Sequence, residues 1–276
     1  RKHMCDRGGI PMKKPIGVFD SGVGGLTVVK ELIRQLPSED IVYFGDTARV
    51  PYGIKSKETV IRFSIEDTLF LLNRDVKLIC VACNTVSSFA LPVIRNHFKV
   101  PIVGVITPGA REAVYATRNK RIGVIGTRGT ITSRTYENEI KQLASDVSVY
   151  PVACPLFVPF AEEGWLDGDI VMDVAKTYLK PLKDAKVDTV ILGCTHYPLL
   201  KPVIKEVMGS QVTLIDSAKQ VAVEVKKILM SEGLTNASGK GKQKFYVSDN
   251  PEWFSGLAAR FLGASVKNVE KADSNV

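Results

Sequence analysis

Leu78-Ile79-Cys80-Val81-Ala82-Cys83-Asn84-Thr85 is echoed by Val190-Ile191-Leu192-Gly193-Cys194-Thr195, and the two cysteines lie 194 − 83 = 111 residues apart. Each stretch is a short apolar run that ends in a cysteine and then turns polar. That is how a strand covered on both faces reads where it leaves its sheet. A second echo accompanies the first, with Ile16-Gly17-Val18-Phe19 and Ile122-Gly123-Val124-Ile125 set 122 − 16 = 106 residues apart. An Ile-Gly-Val opening alone is common in α/β proteins. Two similar offsets, with a cysteine at the same place in each copy, point to one α/β unit used twice.

Between these landmarks apolar runs alternate with amphipathic ones. Strands are expected at 16–19, 41–44, 78–82, 102–105, 122–125, 147–152, 189–192, 212–215 and 245–247. Helices are expected at 26–35, 57–73, 134–144, 169–182 and 219–231, with further helical runs after each cysteine, toward His97 and over 199–208. Such alternation implies parallel sheets with right-handed crossovers, an α/β fold. The expected architecture is two similar domains with parallel-type sheets flanked by helices, related by pseudo-twofold symmetry, with the active site in the cleft between them. Residues 13–107 with 218–267 would form the first domain and 108–217 the second. Residues 107–109 (Thr-Pro-Gly) read as a hinge and 235–242 as a surface loop. The polar tail after Lys267 reads as frayed, and residues 1–12 as a tag or disordered leader.

Composition narrows the function. Of the 276 residues 45% are apolar and 24% charged, an ordinary globular balance. No window approaches the ~20 consecutive apolar residues of a membrane helix, and the start lacks the apolar core of a secretory signal. Five cysteines, an odd number in a chain this long, do not make a disulfide framework. Free thiols in a reducing cytoplasm are expected. The three histidines form no metal cluster with the cysteines, so no metal is expected. The net charge of +8 comes from scattered residues such as Lys13, Lys14, Arg118, Lys120, Arg121, Lys240, Lys242 and Lys244. A solvated surface explains them better than a nucleic-acid interface, which would cluster its cations among aromatics.

Cys83 and Cys194 each stand at the carboxyl end of a strand, where open α/β sheets bind ligands. Capping residues follow both, and Pro198 suits a first helical position. The positive end of a following helix favours an anion and should lower a thiol pKa from its usual ~8.5. Two acid–base groups on opposite faces of a carbon can invert it, one removing a proton while the other supplies one. The α-proton of an amino acid is a very weak acid, so such a site must also exclude water and present fixed donors to the developing charge. Cys80 and Cys154 read as buried small residues. The Cys80-Val81-Ala82-Cys83 spacing also occurs in redox and zinc sites, but no second pair completes one. The loop Gly22-Val23-Gly24-Gly25 carries part of a phosphate-binding fingerprint, weakened by the Asp20 carboxylate at its mouth.

At this point a family is recognisable. The segment from Ile16 through Asp20-Ser21-Gly22-Val23-Gly24-Gly25 to Thr27 resembles the N-terminal signature of glutamate racemases. So do Gly45-Asp46-Thr47 with Val50-Pro51-Tyr52-Gly53, Ala82-Cys83-Asn84-Thr85, and Leu192-Gly193-Cys194-Thr195-His196-Tyr197-Pro198. The likeness runs in order over most of the chain, and His196 is the glutamate racemase form where aspartate racemases usually carry Glu. The resemblance implies cofactor-independent interconversion of L- and D-glutamate by two thiols, supplying peptidoglycan synthesis, in a cytoplasmic homodimer. It implies that Cys83 acts on D-glutamate and Cys194 on L-glutamate, with Asp20 assisting the first and His196 the second. Glu162 would support Cys194, although Glu163 is adjacent. Ser21, Asn84, Thr85 and Thr195, together with Asp20 and His196, would hold the amino and carboxylate groups, and the Tyr52-Gly53 loop the side-chain carboxylate. A racemase of another acidic amino acid, aspartate, is the alternative. A non-catalytic anion- or nucleic-acid-binding protein is a more distant one.

Overall fold

The computed structural model describes residues 14–236 and 239–272, so the expectation for residues 1–12 lies outside it. Its strands are β1 (Ile16–Asp20), β2 (Ile41–Gly45), β3 (Leu78–Val81), β4 (Ile102–Gly104), β5 (Arg121–Gly126), β6 (Ser148–Ala153), β7 (Thr189–Gly193), β8 (Thr213–Asp216), β9 (Gln243–Val247) and β10 (Val269–Lys271). Among the described residues they form two parallel sheets, ordered β10-β9-β2-β1-β3-β4 and β6-β5-β7-β8. The run β2-β1-β3-β4 of one sheet therefore repeats as β6-β5-β7-β8 in the other. β1 and β5 hold the same central place, and so do β3 and β7, the strands that lead to Cys83 and Cys194.

The glycine in each Ile-Gly-Val echo has the same work. A Cβ on Gly17 would come within 3.1 Å of Leu71 and Val76, and one on Gly123 within 2.9 Å of Leu182. Each central strand is bare there so that a helix packs close against it. The side chains around both glycines are buried, and β1, β2, β3 and β7 are buried along their whole length. These strands read as continuous apolar runs because both faces are covered by helices.

The helices are α1 (Leu26–Gln35), α2 (Lys57–Leu72), α3 (Asn84–Phe89), α4 (Leu91–His97), α5 (Ile106–Ala116), α6 (Arg128–Thr132), α7 (Thr135–Leu143), α8 (Phe157–Glu163), α9 (Asp169–Asp184), α10 (Lys201–Met208), α11 (Ser217–Ser231) and α12 (Pro251–Leu262). Three sequence expectations are corrected. Residues 107–109 are helical rather than irregular. Pro108 and Gly109 lie in the opening turn of α5, where proline's missing N–H has no intrahelical partner to lose. The tail after Lys267 is not frayed throughout, because β10 pairs with β9 through Val269↔Phe245 and Lys271↔Val247, using backbone bonds that a polar sequence makes as well as an apolar one. Beyond each cysteine the chain is also more broken than expected. α3 and α4 part at Ala90, and a 3-10 turn at Tyr197–Leu200 precedes α10. None of the described helices is long and apolar enough to cross a membrane.

Candidate active site

The carboxyl ends of the two central strand pairs face one shared cavity. Cys83 and Cys194 both line it, together with Ser21, Tyr52, Gly53, Asn84, Thr85, Thr195 and His196. Each thiol also rests on the apolar cluster of its own sheet. The sulfurs therefore come from separate cores but open into shared space. Of the residues expected at the site, Asp20 and Glu162 stand behind this wall. Glu163 is exposed, and it is Glu162 Oε1 that lies 3.0 Å from His196 Nε2.

Asp20 ends β1 fully buried, and its Oδ2 accepts the Gly25 N–H at 2.9 Å and the Gly22 N–H at 3.2 Å. The glycine loop's amides are thus turned onto a carboxylate of the chain itself, which removes them as a phosphate cradle. Tyr43 braces the same loop by donating its hydroxyl to Gly22 O at 2.5 Å. Burial raises the Asp20 pKa above the ordinary carboxylate value, opposed by the charge of His196 and the loop N–H groups. Among the described residues Asp20 Oδ1 has no hydrogen-bond partner.

Cys83 caps α3, and its thiol donates to Ser21 Oγ at 3.8 Å. The expectation of a lowered pKa fails here. Burial pushes the Cys83 thiol up to about 12, with the Asp20 charge adding to the rise. The Val86 N–H and Ser21 pull the other way and lose. A helix of six residues has few aligned peptide dipoles to set against desolvation.

On the opposite wall Cys194 Sγ lies 3.8 Å from His196 Nδ1. The ring's other nitrogen meets Glu162, so the imidazole bridges a thiol and a carboxylate. Burial alone would lower its pKa, but the bonds to Cys194 and Glu162 win and carry it up to about 10. The chain Glu162–His196–Cys194 can therefore keep a proton on the ring at neutral pH.

The polar rim is tied together across the two sheets. Thr85 Oγ1 meets Thr127 Oγ1 at 2.9 Å, and Thr27 Oγ1 donates to Thr195 O at 3.2 Å. The Tyr136 hydroxyl donates to Asn84 Oδ1 at 2.8 Å, which leaves the Asn84 NH₂ as the free donor. Behind Tyr52, Arg49 pairs with Asp46 at 2.5 Å, with Asp67 at 3.0 Å and with Glu66, while the Tyr52 hydroxyl donates to Asp46 and Asp67. Among the described residues no group of three or more His, Cys, Asp or Glu is placed to hold a metal ion.

Thr127 and Tyr136 were not singled out from the sequence. A signal for Thr127 was present, because the 106-residue echo that pairs Ile16 with Ile122 also pairs Ser21 with 21 + 106 = 127. Both are hydroxyl residues just past a central strand, and both line the cavity.

A family model described as Asp/Glu/Hydantoin racemase matches residues 16–225. A glutamate racemase of Geobacter metallireducens is 54% identical over 257 residues, 93% of this chain and 95% of the relative. The chain belongs to the glutamate racemase family. Solved members superpose closely. The RacE1 isoform of Bacillus anthracis gives a TM-score of 0.92 at 42% identity over 95% of this chain and 98% of its own. That of Francisella tularensis, solved in complex with D-glutamate, gives 0.90 at 39% identity with the same coverage. The two-sheet α/β architecture is that of these glutamate racemases.

Proposed function

We propose that this member of the glutamate racemase family interconverts L- and D-glutamate with Cys83 and Cys194 as the two acid–base groups. One observation carries the reading. Thiols that follow equivalent strands, β3 and β7, line a single cavity together. With L-glutamate, the Cys194 sulfur acts as thiolate beside the protonated His196 and takes the α-proton. The carbanion-like state then takes a proton from the Cys83 thiol on its other face. The product is D-glutamate, with Cys194 left as the thiol and Cys83 as the thiolate. The reverse reaction runs with the roles exchanged. The raised pKa of Cys83 keeps it the proton donor when L-glutamate arrives.

Donors fixed before the substrate arrives carry no reorganisation cost as charge develops on it. The Asn84 amide, held by Tyr136, and the hydroxyls of Ser21, Thr85, Thr127 and Thr195 would take its amino and carboxylate groups. The Tyr52–Gly53 segment, stiffened by Arg49, would receive the side-chain carboxylate. The domains divide as 13–107 with 218–267 and 108–217, one thiol from each. We place the reaction in the cytoplasm, feeding peptidoglycan synthesis, and take a homodimer as the assembly to be tested by sedimentation.

The deciding experiment follows the optical rotation of L-glutamate incubated with the purified protein alone. Signal should decay to zero, with deuterium at the α-carbon when the solvent is deuterium oxide. Cys83→Ser and Cys194→Ser should each abolish the decay with an unchanged far-UV spectrum. Full activity in either variant rules out the two-thiol scheme.

A further inference from the structure

α12 belongs by packing to the six-stranded side, where its buried face, Phe254, Ala258 and Phe261, lies against α1, β9 and β10. Phe254 stacks toward Tyr43 at 5.8 Å. Its last turn nevertheless reaches the opposite half of the site. The Arg260 guanidinium donates to Ala161 O at 3.2 Å and to Glu162 O, which are carbonyls in the last turn of α8. The next residue, Phe261, sets its ring at 79° to that of His196 with centroids 5.2 Å apart.

α8 is a helix of seven residues, too short to hold itself, and its last carbonyls have no partner within the helix. Arg260 supplies one from 98 positions away. The residue held in this way is Glu162, which aligns His196 with Cys194. We propose that α12 is a strap between the two halves of the site, with Arg260 and Phe261 as positioning residues that keep the Glu162–His196 pair in register with Cys194. The consequence for catalysis rests on the racemisation reading above; the consequence for His196 does not.

The charged and titratable groups facing His196 are Glu162 from α8, Cys194 beyond β7 and Asp20 at the end of β1, with Arg260 of α12 behind Glu162. This arrangement gives the test a sign. Deleting the Arg260 cation by charge alone would make protonation of His196 easier and raise its pKa. Loss of the strap would let Glu162 swing away and lower it. Arg260 is exposed, so Arg260→Met leaves the core untouched.

The His196 pKa is read by NMR titration of the ring, assigned with His196→Gln. We expect Arg260→Met to move it from about 10 toward the ordinary 6.5. Arg260→Lys, which keeps a donor but not the fork, should fall between. In the racemisation assay kcat should drop about tenfold with KM changed less than about twofold, as expected when a reacting group is misplaced but the substrate still binds. An unchanged or raised His196 pKa in Arg260→Met overturns the strap. A lowered pKa in Arg260→Met, together with wild-type protein that leaves L-glutamate optically unchanged, keeps the strap and overturns the racemisation reading instead.

Discussion

Gly24 shows how little room the site leaves. A Cβ there would stand 2.3 Å from Thr195 Oγ1 and 2.5 Å from His196 Nδ1, and neither side chain has slack to retreat, since both are buried and bonded. Gly24→Ala should therefore push Thr195 and His196 away from Cys194. The expected loss is about 100-fold in kcat, as for a misplacement of about 1 Å, with the thermal midpoint falling by several degrees because overpacking a buried site costs about 1–3 kcal/mol. Wild-type turnover in that variant would show that His196 is not held where the chemistry needs it. His196 also ties stability to pH. Its folded pKa, about 10, lies above its ordinary 6.5, so its bonds to Glu162 and Cys194 stabilise the fold fully below about pH 6.5 and fade as pH rises through 10. Urea unfolding of wild type and His196→Gln should show the largest difference near pH 6 and a much smaller one near pH 10.5. A gap that widens with pH would reverse the assignment.

At the scale of elements, the 3-10 turn Tyr52–Ile54 is held from behind by a network rather than by its own bonds. Among the described residues Arg49 is the cation paired with Asp46, Glu66 and Asp67, and Asp46 and Asp67 are fully buried. Burial together with the Asp46 charge already drives the Asp67 pKa well up. Arg49→Met would leave these carboxylates without their counter-ion, a change that costs about 3–5 kcal/mol for fully buried pairs and less here because Arg49 keeps some water. KM should rise more than kcat falls, because on the proposed placement the turn would meet the substrate's far end and not the reacting carbon. Denaturant melts and initial rates check both halves. None of this network was visible in the sequence, which showed the Val50-Pro51-Tyr52-Gly53 motif but not its support from α2. The strands with both faces covered were legible, because burial forces a continuous apolar run. α12 was legible but unread. Asn250-Pro251 opens it, with Asn250 Oδ1 accepting the Trp253 N–H at 3.0 Å, and the apolar residues Phe254, Ala258 and Phe261 follow at helical spacing. The reach of Arg260 to α8 was not legible, because it depends on where two halves of the chain meet.

The whole molecule is two copies of one strand order joined at the ends that carry the thiols. Ties across the cavity include Thr85 to Thr127, Thr27 to Thr195, and Tyr136 to Asn84. A ligand gripped by both halves would add contacts that the unfolded chain cannot make, so it should stabilise the protein by mass action. At 100 times its dissociation constant the gain is about 2.7 kcal/mol, which raises the midpoint of a chain this size by several degrees. The double variant Cys83→Ser/Cys194→Ser is the protein to use, because it cannot interconvert the isomers during the measurement. Both L- and D-glutamate should then raise the melting midpoint. The same experiment separates glutamate from aspartate. The Tyr52–Gly53 segment and the Cys83–Cys194 pair line the same cavity, so on the proposed placement they would select the length of the substrate side chain. Aspartate is one methylene shorter and on that placement would fit less well. One methylene in a fitted pocket is worth about 10–200-fold, so aspartate should need that much more concentration for the same shift. Equal shifts from the two amino acids would mean that the turn does not measure side-chain length, and the choice of glutamate would have to come from elsewhere in the cavity.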